Sequence, residues 1–152
     1  MCKMLVAILA TVIGLAGPVS PAGAGPFSAT GAVIAVVADD FFVGEAVGYL
    51  NGVGTLAIRS QNKPAHTCVG EFTSSAAKGG SGQLRCSDGT TATFQFQRLN
   101  AYRGYGVANF SRGVMSFAYG FTPDAAGPYL NLPTGKKLKH NGTLLVLVDL
   151  KE

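Results

Sequence analysis

The feature that most constrains this chain is a pair of segments, Cys68-Val69-Gly70-Glu71-Phe72 and Gly82-Gln83-Leu84-Arg85-Cys86. In an extended chain, successive side chains point to opposite faces. Cys68, Gly70 and Phe72 therefore share one face, as do Gly82, Leu84 and Cys86. Setting Cys68 against Cys86 in an antiparallel pair puts Gly70 opposite Leu84 and Phe72 opposite Gly82. Each large side chain then meets a glycine and can lie over its bare backbone. Glu71 and Gln83 point the other way. One register thus accommodates a disulfide, a polar face and the glycines, and it predicts a bridged β-hairpin. Closing a loop of about 19 residues is worth roughly 3 kcal/mol in chain entropy.

The same two-residue period recurs along the chain. Within Thr91–Gln97, Ala92, Phe94 and Phe96 oppose threonines and glutamines, the mark of a half-buried antiparallel strand. Tyr102–Ala108 and Gly113–Phe121 read as a further pair. Met115, Phe117, Tyr119 and Phe121 form a stripe on the second, read more simply as core than as a surface for stacking ligands. Asn51-Gly52 is a turn signal between arms near Glu45–Leu50 and Gly54–Ile58. Gly44, Gly48 and Gly52 recur every four residues, but no apolar twenty-residue helix surrounds them to make that spacing a membrane packing motif. Ser87-Asp88-Gly89 is a tight turn, which makes Asp88 a turn residue rather than a catalyst.

Nearer the start, Gly25–Thr30 reads as an unstructured leader and Ala32–Val37 as a strand. Asp39 and Asp40 read as a solvated turn, because neighbours on a strand do not converge on one cation. Phe41–Val43 then resumes an extended run. Pro123–Pro133, with three prolines, is a loop that serves as a mobile edge or a covering flap. The last hairpin has a short arm near Lys136–Leu138 and a turn at Asn141-Gly142. Its apolar strand, Leu144–Val148, is expected to be central or covered on both faces. The expected fold is all-β, a small antiparallel barrel or two-sheet sandwich of about 8–10 short strands with glycine-rich turns.

Lys3 followed by an uncharged run from Met4 to Ala16 reads as a signal peptide. Ala22 and Ala24 precede Gly25 in the small-residue pattern of a cleavage site. This divides the chain into a signal peptide, 1–24, and a single β-rich domain, 25–152. The apolar run is shorter than the roughly 20 residues a membrane span needs, and no later segment approaches that length. Cys2 leaves with the signal. Cys68 and Cys86 remain, an even count suited to a bridge in an exported chain.

Several chemistries are poorly served by this composition. The net charge is +4, and losing Lys3 leaves +3, with no nucleic-acid footprint. Lys136, Lys137 and Lys139 form one basic cluster, read as a solvated hairpin tip. No Gly-x-Ser-x-Gly elbow, His-Glu-x-x-His, Cys-x-x-Cys or phosphate loop is present. Zinc wants three or four ligands, and two cysteines with His66 nearby and His140 far off in sequence make a poor set. No catalytic, cofactor-binding or metal-binding residues are therefore assigned, and no cofactor. The assigned site residues are the bridging Cys68 and Cys86. Asn109 and Asn141 match the glycosylation acceptor pattern.

The segments Cys68–Phe72 and Gly80–Gly89 (C-V-G-E-F and G-S-G-Q-L-R-C-S-D-G) resemble small exported bacterial proteins of unknown function with paired cysteines and glycine-rich β repeats. Some of these look like lipoproteins. This chain lacks a cysteine at the cleavage site, which implies a soluble mature form. A weaker similarity is to periplasmic lysozyme-inhibitor barrels, but no inhibitory loop matches residue by residue. The expected role is an exported structural or envelope-associated protein without enzymatic activity, periplasmic or secreted. The alternative is a binding or inhibitor module acting through an aromatic face or the 123–133 loop. An envelope protein or a glycan is the kind of partner that fits either role.

Overall fold

A computed structural model describes residues 28–75 and 78–151. The signal peptide expected over 1–24, with its cleavage site, lies outside the described residues. Eight antiparallel strands close a barrel in sequence order: β1 Ser28–Val37, β2 Asp40–Tyr49, β3 Val53–Ser60, β4 Thr67–Ser75, β5 Gly79–Cys86, β6 Thr91–Arg98, β7 Gly104–Phe110 and β8 Gly113–Tyr119. Pairing of β8 with β1, from Val33↔Tyr119 to Val37↔Met115, completes the ring. A short helix α1, Pro123–Ala126, a 3-10 turn, Gly127–Tyr129, and a separate ribbon of β9 Lys136–Asn141 and β10 Leu144–Asp149 follow.

The predicted hairpin has its predicted register: Cys68↔Cys86, Gly70↔Leu84 and Phe72↔Gly82. The two cysteines are bridged, with Cα atoms 3.9 Å apart. Ser87 N donates to Thr67 O, while Cys86 N donates to Thr90 O. The cysteines therefore form a rung without mutual backbone hydrogen bonds, where opposed side chains come closest. The covering of glycines extends beyond the hairpin. Leu84 lies against Gly70 as predicted, but the ring of Phe72 reaches over Gly54 on β3, and Phe94 of β6 joins in covering Gly82.

Alternation sorts the side chains into two apolar clusters. Val33, Ala35, Phe42, Leu56, Ile58, Leu84, Phe94, Met115 and Phe117 fill the barrel interior with both cysteines. Ile34, Val36 and Ala118, on the outer face of β1 and β8, pack with Phe41, Ala126, Leu130, Leu138 and Leu145. This second cluster accounts for the four consecutive buried residues Val33–Val36: two face in, and two face the C-terminal segment. Elsewhere the outer wall is mostly polar, with Thr55, Arg59, Glu71, Gln83, Arg85, Thr93 and Gln95 exposed beside scattered valines, Val53, Val69, Val107 and Val114. That is the reverse of the apolar-out pattern of a lipid-facing barrel.

Three expectations change, and for 123–133 one of the two alternatives holds. Ser28–Thr30 is not leader but the start of β1, paired with β2 through Ser28↔Tyr49. The arms around Phe41–Val43 and Glu45–Leu50 are one strand, β2. The 123–133 segment is a covering flap with two helical turns, and Asn131 N donates to the buried Ser116 Oγ at 2.8 Å. Leu144–Val148 is not a central strand. It pairs with β9 alone, buries Leu145, and leaves Leu144 exposed. The Gln61 side chain ties it to the barrel by donating to Leu145 O and accepting from Leu145 N, at 3.1 and 3.0 Å.

Candidate ligand-binding site in the barrel mouth

The two ends of the barrel are built differently. An eight-stranded barrel is just wide enough to be filled by side chains or to hold one small ligand. The end carrying the bridge is filled by Phe42, Met115 and the two cysteines. At the opposite end a cavity of about 380 Å³ opens to solvent. Its origin lies in the choice of inward residues on β1 and β2. Gly31, Ala46 and Gly48 form a wall of small residues facing Phe72, Phe94, Phe96, Phe117 and Tyr119. A Cβ built on Gly48 comes no closer than 4.0 Å to any neighbour, so the space beside it is unfilled. The aromatic wall is rigid: Phe94 stands edge-on to Phe117 at 5.8 Å, and Phe96 edge-on to Tyr119 at 5.9 Å.

The mouth is rimmed by exposed apolar residues, Tyr49, Leu50 and Tyr102. Their loops are set by asparagines. Asn51 Oδ1 accepts from Val53 N across the turn where Gly52 has φ 83°. Asn100 Oδ1 accepts from the backbone N–H groups of Tyr102 and Arg103. Such local side-chain bonds replace water around a turn and hold its conformation.

Besides Ser28 and Thr30, the polar side chains of Arg98 and Tyr119 break the apolar lining. Arg98 ends β6 on the same face as Phe94 and Phe96, and Tyr119 ends β8. Both oppose Gly104 of β7, one on each side. A Cβ on Gly104 would overlap the tyrosine hydroxyl, so the bare glycine makes room for that side chain. Arg98 Nη2 donates to Ser74 Oγ at 3.1 Å. Arg98 Nε and Tyr119 Oη are shut off from solvent and have no aligned hydrogen-bond partner. Burial raises the Tyr119 hydroxyl above its usual pKa, against the opposing pull of the Arg98 charge and of an Arg98 N–H group directed toward it.

At the filled end, His66 packs edge-on against Phe42 at 5.4 Å. Potential ligand atoms of His66, Cys68 and Cys86 lie within 4.8 Å of one another. A thiolate, not a disulfide sulfur, is the metal-binding form of cysteine, so the bridged protein presents the imidazole without them. Asp88 is more than a turn residue. Its Oδ1 accepts from Thr90 N and Oγ1 at 3.0 and 2.6 Å, and its Oδ2 lies 3.3 Å from both Arg112 Nη2 and His66 Nε2. The imidazole is not aligned to bond it. The Thr90 hydrogen bonds hold the Asp88 carboxyl below its ordinary value, with His66 and Arg112 adding to the effect. The sign follows from linkage: a lowered folded pKa stabilises above the ordinary carboxylate range and loses that contribution as pH falls through the folded value. Melting curves of the parent and Asp88→Asn should therefore differ most above about pH 4 and converge at lower pH. A constant difference down to pH 2 would show that the charge is not what matters.

The bridged Cys68 and Cys86 lie at the filled end, away from the cavity. The aromatic stripe divides: Met115 and Phe117 are core, Tyr119 lines the mouth, and Phe121 turns outward after Gly120 to stack on Tyr129 at 4.9 Å. Arg98 lies one residue beyond the expected strand Thr91–Gln97, so it is absent from the residues the sequence assigns to a site. Counting by twos from Ala92 reaches it and exposes a charge on an otherwise apolar face. No family model, curated protein or solved structure matches the chain, so its function is argued from its own side chains.

Proposed function

We propose that this is an exported binding protein whose barrel holds one small, largely apolar molecule in its open end. The observation that carries this reading is the cavity of about 380 Å³ between a wall of small residues and a wall of aromatic rings. Its size falls within the range of small-molecule sites, and its makeup, apolar with a few convergent polar groups, is theirs too. At the ~30 Å³ that a water molecule takes up in the liquid, it has room for about a dozen non-hydrogen atoms. Micromolar affinity for a ligand of that size takes about 0.7 kcal/mol per atom, within the ceiling of about 1.5 kcal/mol per atom for small ligands. The lining includes hydroxyls and one guanidinium but no carboxylate, imidazole or thiol among the described residues, which favours binding over acid–base chemistry. Export is supported by the Lys3-led apolar run and the cystine.

The test is to fill the space. Gly48→Leu places a side chain in the cavity with no backbone overlap at Cβ. It is expected to weaken binding of a small environment-sensitive apolar dye at least tenfold, while the melting temperature holds or rises. Equal dye binding by the parent and Gly48→Leu would place the dye elsewhere and remove the support for this site.

A further inference from the structure

We infer that the molecule held in the barrel mouth is a carboxylate with an apolar body, its head between Arg98 and Tyr119; this rests on the binding function proposed above. Among the described residues, the cavity lining contains one cation and no acidic residue. None of the ion pairs seen among the described residues includes Arg98. Arg98 donates to a neutral hydroxyl, Ser74 Oγ, and its other polar neighbour, the Tyr119 hydroxyl, is neutral too. Its Nε and the Tyr119 hydroxyl are both buried and unsatisfied at the same place. Buried donors without acceptors are costly, and a half-buried guanidinium without a counter-charge in an apolar lining adds to that cost. A protein that retains both has a use for them when an acceptor arrives.

The donor set selects the acceptor. A guanidinium presents a planar fork that matches the two oxygens of a carboxylate, and a neutral phenol adds a third donor. One positive charge balances a monoanion and would leave a phosphate dianion under-neutralised. Position fixes orientation. Arg98 and Tyr119 end their strands at the rim, whereas Val33, Leu56 and Phe117 lie deeper. The apolar body therefore enters first, and the carboxylate stops at the mouth.

Decanoate and 4-phenylbutanoate are the probes, since each has about the dozen non-hydrogen atoms that fit. They separate an alkyl source from an aromatic one. Decan-1-ol and decylamine are the neutral and cationic controls. Calorimetric titration of the purified protein should give decanoate, 4-phenylbutanoate or both at least tenfold tighter binding than decanol, with decylamine weakest. Arg98→Met keeps an apolar stem and should abolish the preference for carboxylate over alcohol while leaving decanol binding within about threefold. Tyr119→Phe should weaken carboxylate binding several-fold with little effect on decanol, and it serves as the second variant if Arg98→Met does not fold. Decanol or decylamine binding as tightly as the carboxylates would overturn the carboxylate assignment and leave the cavity reading intact. Failure of all four to bind would overturn both.

Discussion

Removing the Cys68–Cys86 bridge is expected to lower the melting temperature by about 10–15 °C, the consequence of losing roughly 3 kcal/mol in a domain of this size. The bridge closes a segment with a sequence separation of 18. In the unfolded chain that closure removes conformations which the reduced chain regains. A second contribution is packing. Cys68 and Cys86 are 1% and 5% exposed, and they close the filled end beside Phe42 and Met115. Two experiments separate the contributions. Reduction of the parent retains both sulfur atoms and so reports mainly the lost cross-link. Cys68→Ala with Cys86→Ala removes the sulfurs as well and should melt lower still. The reduced protein should carry most of the loss, because two small side chains are a modest volume in a barrel otherwise plugged by Phe42 and Leu84. A reduced parent melting within about 3 °C of the oxidised protein would mean that the unfolded state is already compact across this hairpin. Ligand binding at the far end should persist below the lowered transition, since the cystine and the cavity occupy opposite ends.

The reason the bridge and its register were legible is that a period of two leaves little freedom once a disulfide pins one rung. Cys68 and Cys86 sit at matched positions, so every other pair in the hairpin follows. The same period located β6 and the whole of β8, which it overran by two residues to Phe121. What it did not convey was closure. Strand alternation is identical in a sandwich and a barrel, and only the pairing of β1 with β8, at Val33↔Tyr119, distinguishes them. The C-terminal ribbon was misjudged for a related reason. A continuous apolar run such as Leu144–Val148 suits a strand covered on both faces, but it also suits a ribbon laid over a barrel, where the ribbon covers Ile34 and Val36 as much as it is covered. The cavity was the least legible feature. It depends on what is missing, the side chains of Gly31 and Gly48 and the short one of Ala46, and glycine in a strand reads first as a bend or a turn. Read by twos, Phe42, Gly44, Ala46 and Gly48 show an inward face that shrinks toward the mouth. Arg98 then completes the site from across the barrel.

Phe94→Ala is expected to destabilise the protein by about 3–5 kcal/mol, the usual result of deleting a fully buried ring. Phe94 is 2% exposed and lies at the centre of the aromatic wall, with ring neighbours Phe72, Phe96 and Phe117 at 6.5, 6.3 and 5.8 Å. It also covers Gly82, where a bare backbone would otherwise face the cavity. Collapse cannot easily repair the loss, because barrel closure fixes the distance between opposite strands. The space left by the ring should therefore join the existing cavity and lengthen it. Two consequences follow together. Chemical denaturation should show the full stability loss in the absence of ligand. Among n-alkyl ligands of increasing length, the one that raises the melting temperature most should be several carbons longer for Phe94→Ala than for the parent, since a ligand that binds only the folded state stabilises in proportion to its affinity. A loss under about 1 kcal/mol would mean that the wall had repacked. A full loss with an unchanged preferred length would separate the two spaces and place the ligand nearer the rim, against Tyr49 and Tyr102, than against Phe94.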